Sequence, residues 1–114
     1  MDDCIFCKII RGEIPSKKVY EDELTYAFYD INPQAPTHVL VVGKHHIASL
    51  KDSAELSDRE LAACLRTAAK VAAELGLNED GYRVVANSGK NACQSVEHMH
   101  FHVLGGTQMG ERMT

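Results

Sequence analysis

Apolar residues recur at helical spacing between residues 61 and 75 and form one stripe. The stripe consists of Leu61, Cys64, Leu65, Ala68, Ala72 and Leu75. Ser57 and Glu60 are spaced as a capping box just before it, and Gly76 follows it. The pattern predicts a long amphipathic helix whose apolar stripe covers a sheet.

The remaining apolar runs are short and indicate strands. They are rich in Val, Tyr, Phe and Thr and are separated by turn residues, among them two prolines in the segment 32–37. A further short helix is predicted over 4–11, with Asp2 or Asp3 as its cap and Gly12 at its end. The predicted strands are 18–21, 24–30, 39–42, 82–86 and 98–104. We therefore expect an α+β fold: a mainly antiparallel five-stranded sheet, covered on one face by the long helix.

Composition limits the classes of function. The chain has 114 residues, 45% of them hydrophobic, which predicts a single domain over 1–114 with a real core. The formal net charge is −4, so the chain lacks the basic surface expected of a nucleic-acid partner. No apolar run approaches the roughly 18 residues of a membrane span, and the first residues do not resemble a signal peptide. We expect a cytoplasmic protein with no membrane partner.

Three histidines stand at alternate positions in the last predicted strand: His98, His100 and His102. Alternate side chains of a strand share a face, so the three imidazoles extend over about 13 Å of one face. The residues between them, Met99, Phe101 and Val103, would then face the helix. A neutral imidazole is a competent nucleophile near neutral pH, and a protonated one binds phosphate oxygen. Imidazoles also bind metal, and the spacing alone leaves phosphate chemistry and metal binding open.

Two of the four cysteines, Cys4 and Cys7, form a Cys-x-x-Cys pair, whereas Cys64 and Cys93 stand alone. Such a pair in a cytosolic chain indicates a metal site or redox chemistry more often than a structural disulfide. Thioredoxin-like pairs follow a strand of a βαβ unit, which this pair does not. Two unligated thiols are the remaining alternative.

The three alternating histidines and the residues around them resemble the histidine-triad (HIT) family. The Leu-Gly-Gly at 104–106 resembles its HINT branch. The resemblance covers nearly the whole chain. It is carried by the segments Ile5–Ile10, Ile14-Pro15, 30–38, 81–87 and 94–106. The family implies a nucleotide-binding hydrolase that cleaves the P–N bond of purine nucleoside phosphoramidates, or related adenylates, and releases nucleoside monophosphate.

The resemblance implies roles for the residues near the histidines. His100 matches the nucleophile that forms a nucleotidyl-histidine intermediate, and His102 matches the partner that binds the phosphate. Ser95 matches the residue that hydrogen-bonds the leaving group. Asn87 and the backbone at Ser95 and Val96 match the phosphate-binding groups.

Further positions match the part of the family site that holds the nucleoside. Asp30 matches the carboxylate that binds the ribose hydroxyls, although it could be a turn residue only. Ser95 could likewise serve only as a cap. Four apolar residues fall where the family builds its purine pocket and could equally be core: Ile5, Phe6, Phe28 and Ile31.

Zinc-bearing members of the family also suggest ligands for the cysteine pair. They supply histidines at the positions of His46 and His98, which with Cys4 and Cys7 would make one closed, structural Zn²⁺ site per chain. His45 is a rival for His46, and His38 is expected to lie in a turn. The family further implies a homodimer in which two five-stranded sheets join into one sheet of ten strands.

Three departures from the family pattern are visible. Cys93 stands where glycine is usual, which could displace the phosphate loop, and Gly43 stands where proline is usual. The tail 107–114 resembles the variable tails of bacterial members, so the leaving group is not implied. Two other interpretations stay open: a nucleotide-binding or scaffold protein with little turnover, and a hydrolase whose histidine triad itself holds zinc.

Overall fold

Five antiparallel strands form one sheet in a computed structural model that describes residues 3–112. The strands are β1 (Lys18–Glu21), β2 (Thr25–Tyr29), β3 (Thr37–Gly43), β4 (Tyr82–Val85) and β5 (His100–Gly105), and the helices are α1 (Ile5–Ile10) and α2 (Asp58–Glu74). The order across the sheet is β1-β2-β3-β5-β4, so β3 is the central strand and β5 lies between β3 and the edge strand β4. The predicted α+β fold with its antiparallel sheet is therefore confirmed.

Helix α2 begins with the predicted capping box. The Glu60 amide donates to Ser57 Oγ at 3.0 Å, and the Ser57 amide donates back to Glu60 Oε1 at 2.8 Å. The predicted apolar stripe is wrong at Leu65, which is 52% exposed, whereas Val71 is fully buried. Small alanines flank both sides of the stripe, so the sequence did not fix which rotation of the helix faces the sheet.

Each face of the sheet carries its own core. The face under α2 buries Val39, Val41, Phe101 and Val103 together with the helix residues Cys64, Ala68 and Val71. Thr25 of β2 and Thr67 of α2 satisfy each other by a buried hydrogen bond of 2.7 Å between their hydroxyl oxygens. This arrangement confirms that the residues between the histidines face the helix.

The opposite face is covered in part by α1, which the prediction of one covered face omitted. Phe6 and Ile9 of α1 pack with Tyr26, Phe28, Leu40 and Val42. The cap of α1 is Cys4, whose Sγ accepts from the Cys7 amide at 3.4 Å, so the predicted aspartate cap is wrong for Asp3, while Asp2 lies outside the described residues. A cysteine thus holds the end of this helix.

Strand β5 begins two residues later than predicted. His98 and Met99 precede it, and the Met99 amide donates to the Ile47 carbonyl at 2.9 Å rather than to a neighbouring strand. The strand ends at Gly105, where an added Cβ would lie 2.8 Å from Leu77 Cδ2. Between residues 3 and 112, no helix combines the length and apolar character that crossing a membrane requires.

Candidate active site and metal-binding cluster

His100 is buried in the centre of the sheet and has one ring nitrogen committed to a hydrogen bond. It is 3% exposed, and its Nδ1 lies 2.7 Å from the backbone carbonyl of His98. Because a carbonyl only accepts, Nδ1 carries the proton and Nε2 keeps its lone pair. Burial lowers the pKa of His100. The ring is therefore neutral near pH 7, with a nucleophilic nitrogen at Nε2.

His102 receives its tautomer from a chain of hydrogen bonds through His38. The backbone amide of Gln34 donates to His38 Nδ1 at 3.0 Å, so His38 Nε2 carries a proton. This proton is donated in a hydrogen bond of 2.8 Å to His102 Nδ1. Burial lowers the pKa of His38, and burial together with His100 and His38 lowers the pKa of His102 to about 4. Because both rings are neutral and His102 Nδ1 accepts from His38, His102 Nε2 carries the proton of its ring. It is available as a donor.

His38 is a residue whose part in the site the sequence analysis missed. It lies in β3, opposite Leu104 of β5, and not in a turn as expected. Its Nε2 is also 3.4 Å from Asp30 Oδ2. The alternation of His38 with the inward-facing Leu40 and Val42 was the signal that could have placed it on the histidine face.

Aromatic contacts surround the rings of His100 and His102. The His100 and His102 ring centroids are 5.1 Å apart, and Phe6 meets His100 edge to face at 5.1 Å. Phe28 in turn contacts Phe6, with centroids 5.5 Å apart. Phe6 and Phe28, predicted for a purine pocket, are 6% and 5% exposed and belong to the core on this face of the sheet.

His98 belongs to a second cluster, with Cys4, Cys7 and His46. Their possible ligand atoms all lie within 4.8 Å of one another. His98 Nδ1 is 3.3 Å from Cys4 Sγ, 3.5 Å from Cys7 Sγ and 3.0 Å from His46 Nδ1. The structure therefore brings together the four residues that the sequence proposed as metal ligands.

The chemistry of these four groups fits a tetrahedral cation. His98 Nε2 donates to the Gly43 carbonyl at 2.7 Å, which leaves the Nδ1 lone pair directed into the cluster. Burial lowers the pKa of His98 to about 4, so the ring stays neutral, whereas burial and Cys4 raise the pKa of the Cys7 thiol to about 11. Two sulfurs and two imidazoles form a donor set that suits Zn²⁺, which would displace the thiol protons on binding.

The orientation of the adjacent His45 and His46 shows which of them belongs to the cluster. His46 Nδ1 lies 3.3 Å from Cys7 Sγ, whereas His45 Nδ1 lies 2.7 Å from Glu60 Oε2 at the start of α2. His45 is therefore directed away from the cluster. Cys64, by contrast, is 1% exposed beneath α2 and belongs to the core.

Two clefts contain most of the remaining predicted residues. One, of about 460 Å³, is lined by Ile5, Ser95 and Val96 next to Cys4 and His46. The other, of about 730 Å³, is lined by Asp30 and Ile31; Ile31 is 91% exposed. His100 and His102 line neither cleft directly.

Contacts link the reactive rings to both clefts. Asp30 of the larger cleft contacts His38, which in turn contacts the His102 ring. Phe6, which contacts the His100 ring, is adjacent in sequence to Ile5 of the smaller cleft. Asp30 Oδ1 also accepts from the backbone amide of Asn32 at 2.8 Å, as expected of a turn residue. Its carboxylate nevertheless stays partly exposed in the cleft.

The loop between β4 and β5 is organised by Gln94, which the sequence analysis did not single out. Its side chain accepts from the Gly89 amide at 2.9 Å and donates to the carbonyls of Ala48 at 2.7 Å and Val96 at 2.9 Å. Asn87 lies half-buried at the start of this loop. The loop thus presents Ser95 and Val96 from a fixed backbone.

Comparison with known proteins identifies the family of this chain. The family model of the HIT domain matches residues 11–109, and the chain therefore belongs to the HIT family. It is 44% identical over 109 residues to the purine nucleoside phosphoramidase of Escherichia coli (strain K12), covering 96% of this chain and 92% of that protein.

Solved structures agree with the family assignment. A HIT family hydrolase from Clostridium thermocellum superposes with a TM-score of 0.93 at 44% identity, covering 100% of this chain and 99% of the other. A HIT family hydrolase from Legionella pneumophila gives a TM-score of 0.88 at 47% identity, with 96% and 97% covered. These matches make the protein a hydrolase of the HIT family.

Proposed function

We propose that this hydrolase cleaves the P–N bond of purine nucleoside phosphoramidates, or of related adenylates, through a nucleotidyl intermediate on His100. The observation that carries the proposal is the hydrogen bond from His100 Nδ1 to the His98 carbonyl, which leaves the Nε2 lone pair free. The substrate class follows from the name of the E. coli relative, a purine nucleoside phosphoramidase.

In the first step His100 Nε2 attacks the α-phosphorus and forms a P–N bond to the ring. The substrate P–N bond breaks, and the leaving amine takes the electron pair together with a proton from solvent water, which the second step returns. His102 donates from Nε2 to a phosphate oxygen, and Ser95 hydrogen-bonds the departing amine. Dividing the reaction into two displacements lowers each barrier.

In the second step water attacks the nucleotidyl-histidine and releases nucleoside monophosphate, which restores neutral His100. Asn87 and the backbone at Ser95 and Val96 hold the phosphate during both steps. Asp30 holds the ribose hydroxyls; its carboxylate is 19% exposed in the second cleft. The purine is bound near Ile5, Phe6, Phe28 and Ile31.

We also propose one structural Zn²⁺ per chain, held by Cys4, Cys7, His46 and His98. Four protein ligands close the coordination sphere and leave no position for a reacting water. Zinc at this cluster would join α1 to the start of β5 and to the segment after β3. Such a metal would stabilise the fold and would take no direct part in breaking the bond.

A homodimer built on β4 is the third element of the proposal. β4 is an edge strand, and its Tyr82 and Val84 are 37% and 38% exposed. Leu65 of α2, 52% exposed, supplies a further apolar surface. Pairing two copies along β4 would satisfy the free strand edge. Light scattering should then give twice the mass of one chain, and a monomer at micromolar concentration would contradict the dimer.

Rapid quenching of the wild type with adenosine phosphoramidate, followed by mass spectrometry, tests the catalytic proposal. We expect an adenylylated peptide that contains His100. His100→Ala should lose roughly 10⁴-fold or more in turnover while AMP still binds, because the ribose and base contacts lie elsewhere. P–N substrates should also react much faster than matched P–O substrates.

Two results would contradict nucleophilic catalysis. One is the absence of a modified His100 together with an alanine variant that keeps more than about a hundredth of the activity, which is within reach of general-base assistance to water alone. The other is firm AMP binding by the wild type without turnover of any phosphoramidate, which would indicate a nucleotide-binding protein.

A further inference from the structure

His98 belongs to both the metal-binding cluster and the active site. Its side chain supplies Nδ1 to the cluster, and its Nε2 is fixed by the Gly43 carbonyl. Its own backbone carbonyl accepts the Nδ1 proton of His100 at 2.7 Å. The group that determines the tautomer of the proposed nucleophile is thus part of a residue that ligation would immobilise.

A second connection runs through the other histidine of the cluster. Ile47 follows His46, and its carbonyl accepts from the Met99 amide at 2.9 Å. Met99 lies between His98 and His100, where the chain is not yet paired in β5. The Met99 amide and the His98 carbonyl belong to the same peptide group. This group is therefore fixed by its hydrogen bond to Ile47, the residue that follows His46.

A third connection runs through α1. Cys4 and Cys7 lie on either side of Phe6, which is 6% exposed. The Phe6 ring meets His98 edge to face at 5.9 Å and His100 at 5.1 Å. Fixing both cysteines would therefore fix the ring that packs on the nucleophile.

From these three connections we infer that metal at the Cys4–Cys7–His46–His98 cluster positions His100 and holds it in its reactive tautomer. The inference rests on the proposed role of His100 as the nucleophile. Two thiolates would neutralise the charge of Zn²⁺, so the effect that we infer is one of position. Loss of metal should let His98 and Phe6 shift, so that the neutral His100 ring exchanges between its two tautomers.

Adjacent histidines provide a matched pair of variants. His46→Gln removes a ligand, whereas His45→Gln removes an imidazole that contacts Glu60 and not the cluster. Both full-length variants and the wild type are labelled with ¹⁵N and given one equivalent of Zn²⁺, and a portion of the wild type is then stripped with a chelator. Four quantities are measured: bound zinc, the ring-nitrogen signals of His100, AMP affinity, and the rate at which nucleotidyl-histidine forms in a single turnover.

The zinc-loaded wild type and His45→Gln should show one His100 tautomer, with protonated Nδ1 and unprotonated Nε2. In His46→Gln and in the stripped wild type we expect the two nitrogen signals to move toward each other. The rate of nucleotidyl transfer should fall about tenfold or more, the size typical of losing a group that orients a reactive residue. AMP affinity should stay within about threefold, since a purely catalytic loss leaves ground-state binding intact.

Three results would overturn the inference. The first is His100 signals that stay unchanged when zinc leaves, the second is failure of the wild type to take up zinc, and the third is unfolding of both the stripped protein and His46→Gln. The nitrogen signals do not depend on turnover. A tautomer change without turnover in any sample would support the inference and contradict the proposed reaction, whereas normal turnover with unchanged signals would do the reverse.

Discussion

Two clusters on the same face of the sheet use similar residues but present opposite groups to their centres. In the proposed metal-binding cluster of Cys4, Cys7, His46 and His98, the outer nitrogen of His98 donates to the Gly43 carbonyl, so the inner nitrogen offers a lone pair. In the cluster of Asp30, His38 and His102, the outer nitrogen of His38 accepts from the Gln34 amide, so the inner nitrogen offers a proton. The backbone group behind each ring decides its chemistry.

Distance alone would not separate the two clusters. The ligand atoms of Asp30, His38 and His102 also lie within 4.8 Å of one another, as a metal site requires. A cation there would need the lone pair of His38 Nε2, which would move the proton to Nδ1 and oppose it to the Gln34 amide proton. The Asp30–His38–His102 cluster is therefore suited to passing hydrogen bonds to His102 and not to holding a metal.

The largest effect is expected from breaking the metal-binding cluster. Cys4→Ser should abolish stoichiometric zinc and lower the free energy of unfolding by about 4 kcal/mol or more, because a structural metal is coupled to folding. Cys93→Ser is the control, since Cys93 is exposed and outside the cluster. Elemental analysis and urea unfolding check both variants. A wild type without zinc after purification free of chelator would contradict the prediction.

The next largest effect is expected from breaking the series of hydrogen bonds that runs from Gln34 through His38 to His102. His38→Ala should lower kcat about 10- to 100-fold, because His102 loses the donor that fixes its tautomer, while zinc content is unchanged. His38→Gln places an amide nitrogen near the position of Nε2 and should recover most of the activity. Steady-state kinetics with adenosine phosphoramidate distinguish the two. Equal losses in both variants would indicate that His38 is needed only for packing.

The sequence predicted the elements because their signals are local. A capping box, a helical stripe and alternating histidines each depend on a few neighbouring residues, and α2 and β5 follow from them within two residues. The four proposed metal-binding residues were also proposed correctly as a spatial group, through resemblance to the family. Their proximity depends on the position of α1 against the sheet, which no local pattern specifies.

The orientation of the imidazoles could not be predicted. His38 was expected in a turn because two prolines precede it, yet its ring meets His102 from the neighbouring strand. Its tautomer depends on the Gln34 amide, and that of His98 on the Gly43 carbonyl, so both depend on backbone geometry. Side-chain identity in the sequence carries no information about either bond.

Acid should have a smaller effect on stability through His102 of the Asp30–His38–His102 cluster. The pKa of His102 is about 4 in the folded chain, lowered by burial and by the facing His100 and His38, and opposed by Asp30. The unfolded residue has an ordinary pKa near 6.5, so between about pH 6.5 and 4 the unfolded state binds more protons. Stability is complete above this window and falls as pH falls through it.

His102→Gln tests that assignment, because it removes the titrating ring. The wild type should lose about 1 to 2 kcal/mol more than the variant between pH 6.5 and 4.5, measured by urea unfolding at each pH. Both proteins should share the remaining acid sensitivity, which includes release of any metal. Parallel stability curves would show that His102 is not held neutral by the fold.

The smallest effect concerns the loop that leads from β4 to both clusters. Cys93 has a left-handed backbone with φ of 59°, in the region that favours glycine. That conformation costs a side chain about 1 to 2 kcal/mol, while glycine gives back part of this in the entropy of the unfolded chain. Cys93→Gly should therefore stabilise the protein by about 0.5 to 1 kcal/mol without changing zinc content.

Gly89 of the same loop provides the opposite control. Its φ is 85°, and an added Cβ would meet no atom within 4 Å, so Gly89→Ala introduces backbone strain without a steric clash. It should destabilise the protein by about 1 kcal/mol or more. Thermal unfolding of both variants at one zinc per chain measures the two signs. If Cys93→Gly were neutral or destabilising while Gly89→Ala behaved as expected, the Cys93 side chain would contribute contacts that offset its strained backbone, and the loop would be adapted to cysteine.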